Sequence, residues 1–197
     1  NIMPLGAFKA ALMGTAGVTT TGDVVLLSSQ TASSSATITF TGITSTYGEY
    51  IFKFYNIHPS EEEYFFIKFS TDGGDNYGLT KTTTTFRTRH KEDGTNGSLA
   101  YSTGDDLGQS TNKQDLSGGK FGIGNDESGI GELHLFSPAS TTYVKHFISE
   151  THMTYGEYSY NMYAAGYVNT TTAINAVQFG MNSGNMDTGV IKMWGVK

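Results

Sequence analysis

A two-residue alternation of apolar and polar side chains constrains the fold of this chain more than any other feature. It starts at Ala36 and recurs in the runs ATITF, EYIFKFYNI, EYFFIKFS, GELHLF, TYVKHFIS, EYSYNMYAAGY, INAVQFGM and TGVIKMWGV. Successive side chains of a β-strand point to opposite faces, so this period predicts strands that bury one face. Clusters of Gly, Ser, Asn and Asp separate the runs and are typical of turns.

About eight to ten short strands with almost no helix between them predict an all-β fold, an antiparallel β-sandwich of jelly-roll-like form. The composition agrees, because aromatic residues reach 13%, Gly numbers 25 and charged residues are only 15%. The length of 197 residues suits one domain with an arm. We predict an N-terminal docking arm and linker over residues 1–35, with a short apolar strand at 24–27, and the β-sandwich domain over residues 36–197.

The apolar face of these strands should form the core of the sandwich. The predicted core residues are Phe40, Phe52, Phe54, Phe65, Ile67, Phe69, Leu133, Leu135, Val177, Phe179, Ile191 and Met193. Some strands also carry aromatic residues on the other face, namely Tyr55, Tyr64, Phe66 and Tyr163. These extra aromatic side chains favour contacts with other subunits, although tyrosine also tolerates exposure to solvent.

The arm is the one segment with helical spacing. Over residues 4–16, Pro4 suits a first helical turn and four apolar residues fall on one side. We predict that these four residues dock against a partner: Leu5, Phe8, Leu12 and Met13. The alternative is a poorly ordered terminus.

Charge and cysteine content exclude several classes of partner and chemistry. The net charge is −6, whereas proteins that bind a phosphate backbone usually carry a basic surplus, so we predict no nucleic-acid partner. The absence of Cys excludes disulfides, thiolate catalysis and Cys-based zinc sites. No apolar run approaches the ~20 residues of a membrane helix, so we predict no membrane partner.

The run FSTDGGDNYG, from Phe69 to Gly78, could be a calcium loop or a turn. A calcium loop of the EF-hand type has acidic residues at alternate positions and a distant Glu. Here Asp72 and Asp75 are three residues apart, and the adjacent glycines suit a hairpin loop that needs positive φ. We therefore predict that residues 72–76 form a hairpin connection without a bound ion, and we predict no metal site.

The common catalytic patterns are missing from the sequence. The five His residues form no HxH or HExxH pair, no GxSxG elbow is present, and FGIGNDESG lacks the context of a phosphate loop. A glycosidase or depolymerase remains an alternative, because it needs only a pair of carboxylates that neighbouring strands bring together in a groove. We predict that the protein is not an enzyme and has no catalytic residue and no cofactor.

The run KTTTTFRTRHK places Arg87, Arg89 and Lys91 on one face of a strand, opposite Phe86, Thr88 and His90. One interpretation is an exposed strand whose charges discourage edge pairing. The other is a subunit-contact strip formed by the three basic residues, because an acidic protein offers many carboxylate partners.

Four longer segments resemble structural proteins of marine tailed phages. They are STYGEYIFKFYNIHPS, FFIKFSTDGGDNYGLTKTTTTF, ELHLFSPASTTYVKHF and YAAGYVNTTTAINAVQFGMNSGNMDTGVIKMWGV, and the resemblance covers roughly residues 36–197. It implies a β-sandwich component of the virion, either a capsid decoration protein or a tail- or fibre-associated subunit, attached by its N-terminal arm. No catalytic residues accompany this family.

The resemblance also implies partners. They are other copies of the chain, with a trimer favoured by threefold shell positions and by fibres, and the major capsid or tail proteins of the virion. The alternative function is a carbohydrate-binding module that recognises a glycan on the host surface. Twelve Tyr and a single Trp supply rings for stacking, and such a module would show a ring-lined groove.

Overall fold

The computed structural model describes residues 23–197, which are all-β. No helix among these residues is long and apolar enough to cross a membrane. The strands are β1 (Val24–Thr31), β2 (Thr37–Thr41), β3 (Glu49–Pro59), β4 (Phe65–Ser70), β5 (Lys81–Lys91), β6 (Ser98–Tyr101), β7 (Gln114–Asp115), β8 (Gly129–Phe136), β9 (Lys145–Tyr155), β10 (Tyr158–Val168), β11 (Ala176–Met181) and β12 (Met186–Val196).

The strands form two antiparallel sheets. The large sheet has eight strands in the order β1-β12-β3-β8-β9-β10-β5-β6, and the small sheet has four in the order β2-β11-β4-β7. The small sheet covers the inner face of the large sheet, and the core lies between them. The prediction of an all-β antiparallel sandwich is confirmed.

Phenylalanine rings from both sheets meet at the centre of the core. Phe179 of β11 lies 5.4 Å from Phe52 and 5.2 Å from Phe54 of the large sheet, measured between ring centroids. Within its own sheet it lies 6.3 Å from Phe40 and 5.8 Å from Phe65. All twelve predicted core residues are buried, and the most exposed of them, Met193, shows only 5% of its surface. The alternating pattern therefore assigned every one of these side chains to the correct face.

Strand β1 extends the sandwich toward the N-terminus of the described region. It pairs with β12 from Val24 opposite Val196 to Thr31 opposite Val190, with a shift of register between Leu26 and Ser28. The sandwich thus begins before residue 36: residues 24–31 of the predicted linker form the edge strand of the large sheet, and the short apolar strand predicted at 24–27 is its first half. Its side chains are half-buried or exposed, which explains why its hydrophobic period is weak.

The connection from β4 to β5 is not a hairpin, and that prediction is wrong. Strand β4 pairs with β11 and β7 in the small sheet, whereas β5 pairs with β10 and β6 in the large sheet. The segment between them crosses from one sheet to the other. Glycine is still required there, because Gly73 and Gly74 have φ values of 83° and 106°. Turn chemistry alone does not distinguish a turn within one sheet from a turn between two sheets.

Candidate functional site: a ring-lined groove on the large sheet

The outer face of the large sheet is not covered by the small sheet. Along β9 and β10 the buried inner side chains alternate with outward-facing ones. Large apolar side chains are exposed on this outer face, including Phe86 (44%) and Ile148 (49%). Exposed apolar surface framed by polar groups is typical of a binding site.

A first ridge of side chains crosses this face. Five residues on adjacent strands lie directly opposite one another, in the order Lys53, Glu132, Glu150, Tyr163 and Phe86. The rings of Phe86 and Tyr163 are stacked, with centroids 4.8 Å apart and an angle of 14° between their planes. At the other end Lys53 Nζ lies 3.1 Å from Glu132 Oε2. The ridge is therefore aromatic over β10 and β5 and ionic over β3 and β8.

A second ridge runs parallel to the first. Tyr167 lies opposite His146 on one side and Thr82 on the other, and the Tyr167 and His146 rings have centroids 6.1 Å apart. Gln109 links two residues of this ridge by hydrogen bonds, because its Nε2 donates to Thr82 Oγ1 at 2.7 Å and to Tyr167 Oη at 3.2 Å. Both ridges place an aromatic ring over β10.

The floor between the ridges consists of His134, Ile148, Ala165 and Thr84, which also lie opposite one another on β8, β9, β10 and β5. Tyr163 and Tyr167 are four residues apart, so the ridges are about 13 Å apart along the strands. Two depressions, of 330 and 320 Å³, lie over this floor and share its last three residues. We call the floor and its two ridges the aromatic groove.

The polar groups of the first ridge hold one another in place. Glu150 Oε1 accepts hydrogen bonds from Tyr163 Oη at 2.7 Å and from Asn161 Nδ2 at 2.9 Å. The bond to Glu150 raises the pKa of Tyr163, so its hydroxyl stays protonated. Burial alone would raise the pKa of Glu132, but hydrogen bonds from Lys53 and His134 outweigh it and lower that pKa. The ridge consequently presents an ionised Glu132 carboxylate, which can only accept hydrogen bonds.

The three basic residues of the predicted strip do share one face of β5, but it is the inner face, on which Thr83 and Thr85 are buried. The Arg87 guanidinium donates to the Gly118 carbonyl. Arg89 lies over the Tyr158 ring at 5.5 Å. Their contacts are thus within the chain, and a role between subunits stays a prediction.

The third residue of the strip, Lys91, forms ion pairs with Asp93 at 2.8 Å and with Glu157 at 2.9 Å. These two carboxylates raise its pKa, with Asp93 the larger cause. None of the three basic residues lines the aromatic groove. The other predicted docking residues, Leu5, Phe8, Leu12 and Met13, lie outside the described residues.

The Asp72 carboxylate is occupied by its own turn. Its Oδ1 accepts from Ser70 Oγ at 2.6 Å and from the Asn76 backbone N–H at 2.9 Å, and its Oδ2 accepts from Asn76 Nδ2 at 2.7 Å. The bonds from Ser70 and Asn76 hold the pKa of this carboxyl well below its usual range. Within residues 23–197, no group of three or more His, Cys, Asp or Glu side chains is placed to hold a metal ion.

Sequence reasoning singled out Tyr163 but missed the groove around it. A usable signal was present, because Tyr163, Ala165 and Tyr167 follow each other at intervals of two and so share one strand face. A small residue between two rings along one face leaves a recess. The other strands that complete the groove are brought in only by the register of the sheet.

Comparison with known proteins adds little to this geometry. No protein-family model matches the chain, and no curated protein matches it. Among solved structures, that of an aerolysin-like protein from Bombina maxima is 10% identical, over 81% of this chain and 88% of that chain, with a TM-score of 0.14. A likeness at that TM-score carries no argument about the fold or the function of this chain.

Proposed function

We propose that this protein is a structural subunit of a tailed-phage virion, carried on the capsid surface or at the tail and attached through its N-terminal segment. The resemblance of residues 36–197 to marine phage structural proteins supports the proposal. The observation that carries it is the position of β1, which leads the N-terminal segment into the sandwich at an edge of the large sheet. A segment that joins at an edge leaves both sheets free to fold without it.

The energetics of the N-terminal segment favour docking on a partner. Burial of four large apolar side chains contributes roughly 6–12 kcal/mol, from about 1.5–3 kcal/mol each. Ordering about a dozen residues costs at least as much, roughly 12–24 kcal/mol at about 1–2 kcal/mol of backbone entropy per residue. Further contacts are therefore needed for net stabilisation. Another copy of the chain or the shell beneath it would supply them, and a homotrimer is the assembly we propose.

Truncation tests the attachment. A chain that begins at Asp23 keeps all twelve strands, so we expect it to fold with an unchanged melting temperature. We expect it to be absent from purified particles of the phage that encodes it, whereas the full chain is incorporated. A matched variant of the full chain carries Ser at Leu5, Phe8, Leu12 and Met13 and should also be lost. Incorporation of both variants at the level of the full chain would refute attachment through this segment.

The groove supports a binding role more than a catalytic one. Glu132 and Glu150 lie opposite each other on adjacent strands, which is the kind of carboxylate pair that a glycosidase uses. A glycosidase also needs one carboxylic acid whose pKa is raised, and the lowered pKa of Glu132 argues against that role for this member of the pair. We therefore propose that the protein is not an enzyme.

The aromatic groove favours a second candidate function, a module that binds a glycan on the host surface. Aromatic rings and carboxylate acceptors along one groove suit sugars, which present apolar C–H groups and a rim of hydroxyl groups. Adsorption of the purified protein to host cells tests this function, with cells stripped of surface polysaccharide as the control. Equal adsorption to both kinds of cell would refute it.

A further inference from the structure

We propose that the aromatic groove binds a neutral saccharide chain that lies across β8, β9, β10 and β5. This inference rests on the second candidate function, the glycan-binding module, and specifies its ligand. The groove follows the row of floor residues from His134 to Thr84 and crosses four strands. With strands about 4.8 Å apart, its floor is about 14 Å long, which exceeds the width of a single sugar ring.

The shape of the groove suits sugar rings better than it suits another protein surface. Ala165 is the smallest floor residue and makes the groove deepest on β10, directly between Tyr163 and Tyr167. A saccharide chain can enter this recess and place its C–H groups against the rings that flank it. The flat face of a second sheet would contact the two ridges and leave the floor unfilled. The depression of 330 Å³ also falls within the range of ligand sites.

Glu150 is the acceptor best placed to bind sugar hydroxyls. Both of the hydrogen bonds that it accepts from described residues fall on Oε1. Its Oε2 can accept from a ligand while Tyr163 and Asn161 hold the carboxylate in position. The Tyr163 hydroxyl, which donates to Glu150, keeps lone pairs to accept a second bond. Orientation of the acceptor before the ligand arrives reduces the entropy lost on binding.

The charges of the groove select against acidic sugars. Glu132 and Glu150 stand side by side in the first ridge, and the single lysine in that ridge, Lys53, is paired with Glu132. No arginine from the described residues lines the groove. A uronic acid or another anionic sugar would meet two carboxylates and no unpaired lysine or arginine of the described residues, so it would lose affinity through desolvation and repulsion.

The test uses the purified full chain on an array of neutral and acidic bacterial and algal glycans. We expect signals from neutral glycans, and calorimetry with the best of them then gives Kd. Ala165→Phe fills the floor without removing any polar group and should raise Kd by about tenfold or more. Thr84→Phe fills the neighbouring floor position and should raise Kd by a similar factor. Tyr143→Ala removes a ring that is 73% exposed in the loop before β9, outside the groove, and should leave Kd unchanged.

Three results would overturn the proposal. They are the absence of any array signal, equal signals from acidic glycans, and an unchanged Kd in floor-filled variants that melt at the wild-type temperature. A loss of self-association in Ala165→Phe, measured by sedimentation, would instead assign the groove to contacts between copies. Incorporation of Ala165→Phe into phage particles separates this inference from the virion role, because the variant keeps its N-terminal segment and should be incorporated normally.

Discussion

Lys81 and Lys145 lie on either side of Val168, one on β5 and one on β9, and both side chains are fully buried. Lys81 Nζ donates to the Leu79 carbonyl at 2.7 Å, and Lys145 Nζ donates to the carbonyls of Tyr143 and Thr170, both at 3.0 Å. The two amines therefore tie the loops at this end of the large sheet to its inner face. Burial lowers the pKa of both.

Stability should rise with pH in the alkaline range because of Lys81. Burial, with a smaller effect of Lys68, lowers the pKa of Lys81 from 10.5 to about 8. Between these values the unfolded chain binds a proton that the folded chain has lost, so the free energy of unfolding increases with pH. Denaturant unfolding at several pH values within that window measures the slope. Lys81→Met should reduce the rise to the part that Lys145 contributes, and Lys192→Met, on the outer face, should preserve it. A flat wild-type profile would contradict the prediction.

Phe179 should be among the most costly core residues to truncate. Its ring contacts four other phenylalanine rings, so Phe179→Ala leaves a cavity that both sheets must line. We expect a loss of about 3–5 kcal/mol in the free energy of unfolding, measured in urea. Phe86→Ala is the matched control, because this exposed ring has one stacking partner, and it should cost about 0.5–1.5 kcal/mol. Similar costs for the two variants would argue against the central position of Phe179.

Asp72 should stabilise the crossing between the sheets without binding calcium. Asp72→Ala removes the acceptor for Ser70 and Asn76 and should lower the melting temperature at neutral pH, whereas Asp75→Ala should not. Because the pKa of Asp72 is depressed in the folded state, its contribution is present above 3.8, its usual pKa, and is lost as the pH falls below that value. The difference in melting temperature between wild type and Asp72→Ala should therefore disappear in acid. Micromolar calcium binding by calorimetry that disappears in Asp72→Ala would overturn the turn assignment.

Gly166 should tolerate no side chain. A Cβ at this position would lie 2.4 Å from the Thr82 carbonyl oxygen and 2.9 Å from the Thr83 Cα, both on the neighbouring strand. Gly166→Ala should therefore destabilise the protein by roughly 1–3 kcal/mol. Gly104→Ala is the control, since a Cβ there meets nothing within 4 Å. Thermal melts of the two variants decide the point, and equal melting temperatures would show that β5 and β10 can separate at low cost.

Hydrophobic period predicted the core well because burial on one face is a local property of each strand. Phe52 and Phe54 show this, since a slip of one residue would have exposed both. Pairing between strands is not local. The stretch FSTDGGDNYG has the residues typical of a hairpin, yet the strands on its two sides belong to different sheets. Those ten residues carry no information on the pairing of β4 with β11.

The groove could not be predicted from the sequence for the same reason. Its ridge over Tyr167 needs His146 and Thr82 to lie opposite that ring, and these residues come from strands that are far apart in sequence. Only the spacing of Tyr163, Ala165 and Tyr167 along one strand was visible beforehand. The short apolar strand predicted at 24–27 is part of β1, but its extension to Thr31 and its place at the sheet edge were missed, because an edge strand buries too little surface to impose a clear pattern.

The pairing of β1 with β12 determines where the two ends of the described chain lie relative to the aromatic groove. Val24 lies opposite Val196, and the Lys197 N–H donates to the Asp23 carbonyl at 3.0 Å, so both ends of the described chain leave from one corner of the large sheet. Five strand intervals separate β1 from β10, or about 24 Å. A subunit tethered at that corner would hold Tyr163 and Tyr167 at the far side of the sheet. A tether at either end of the described chain, natural or engineered, would therefore leave the approach to the groove open.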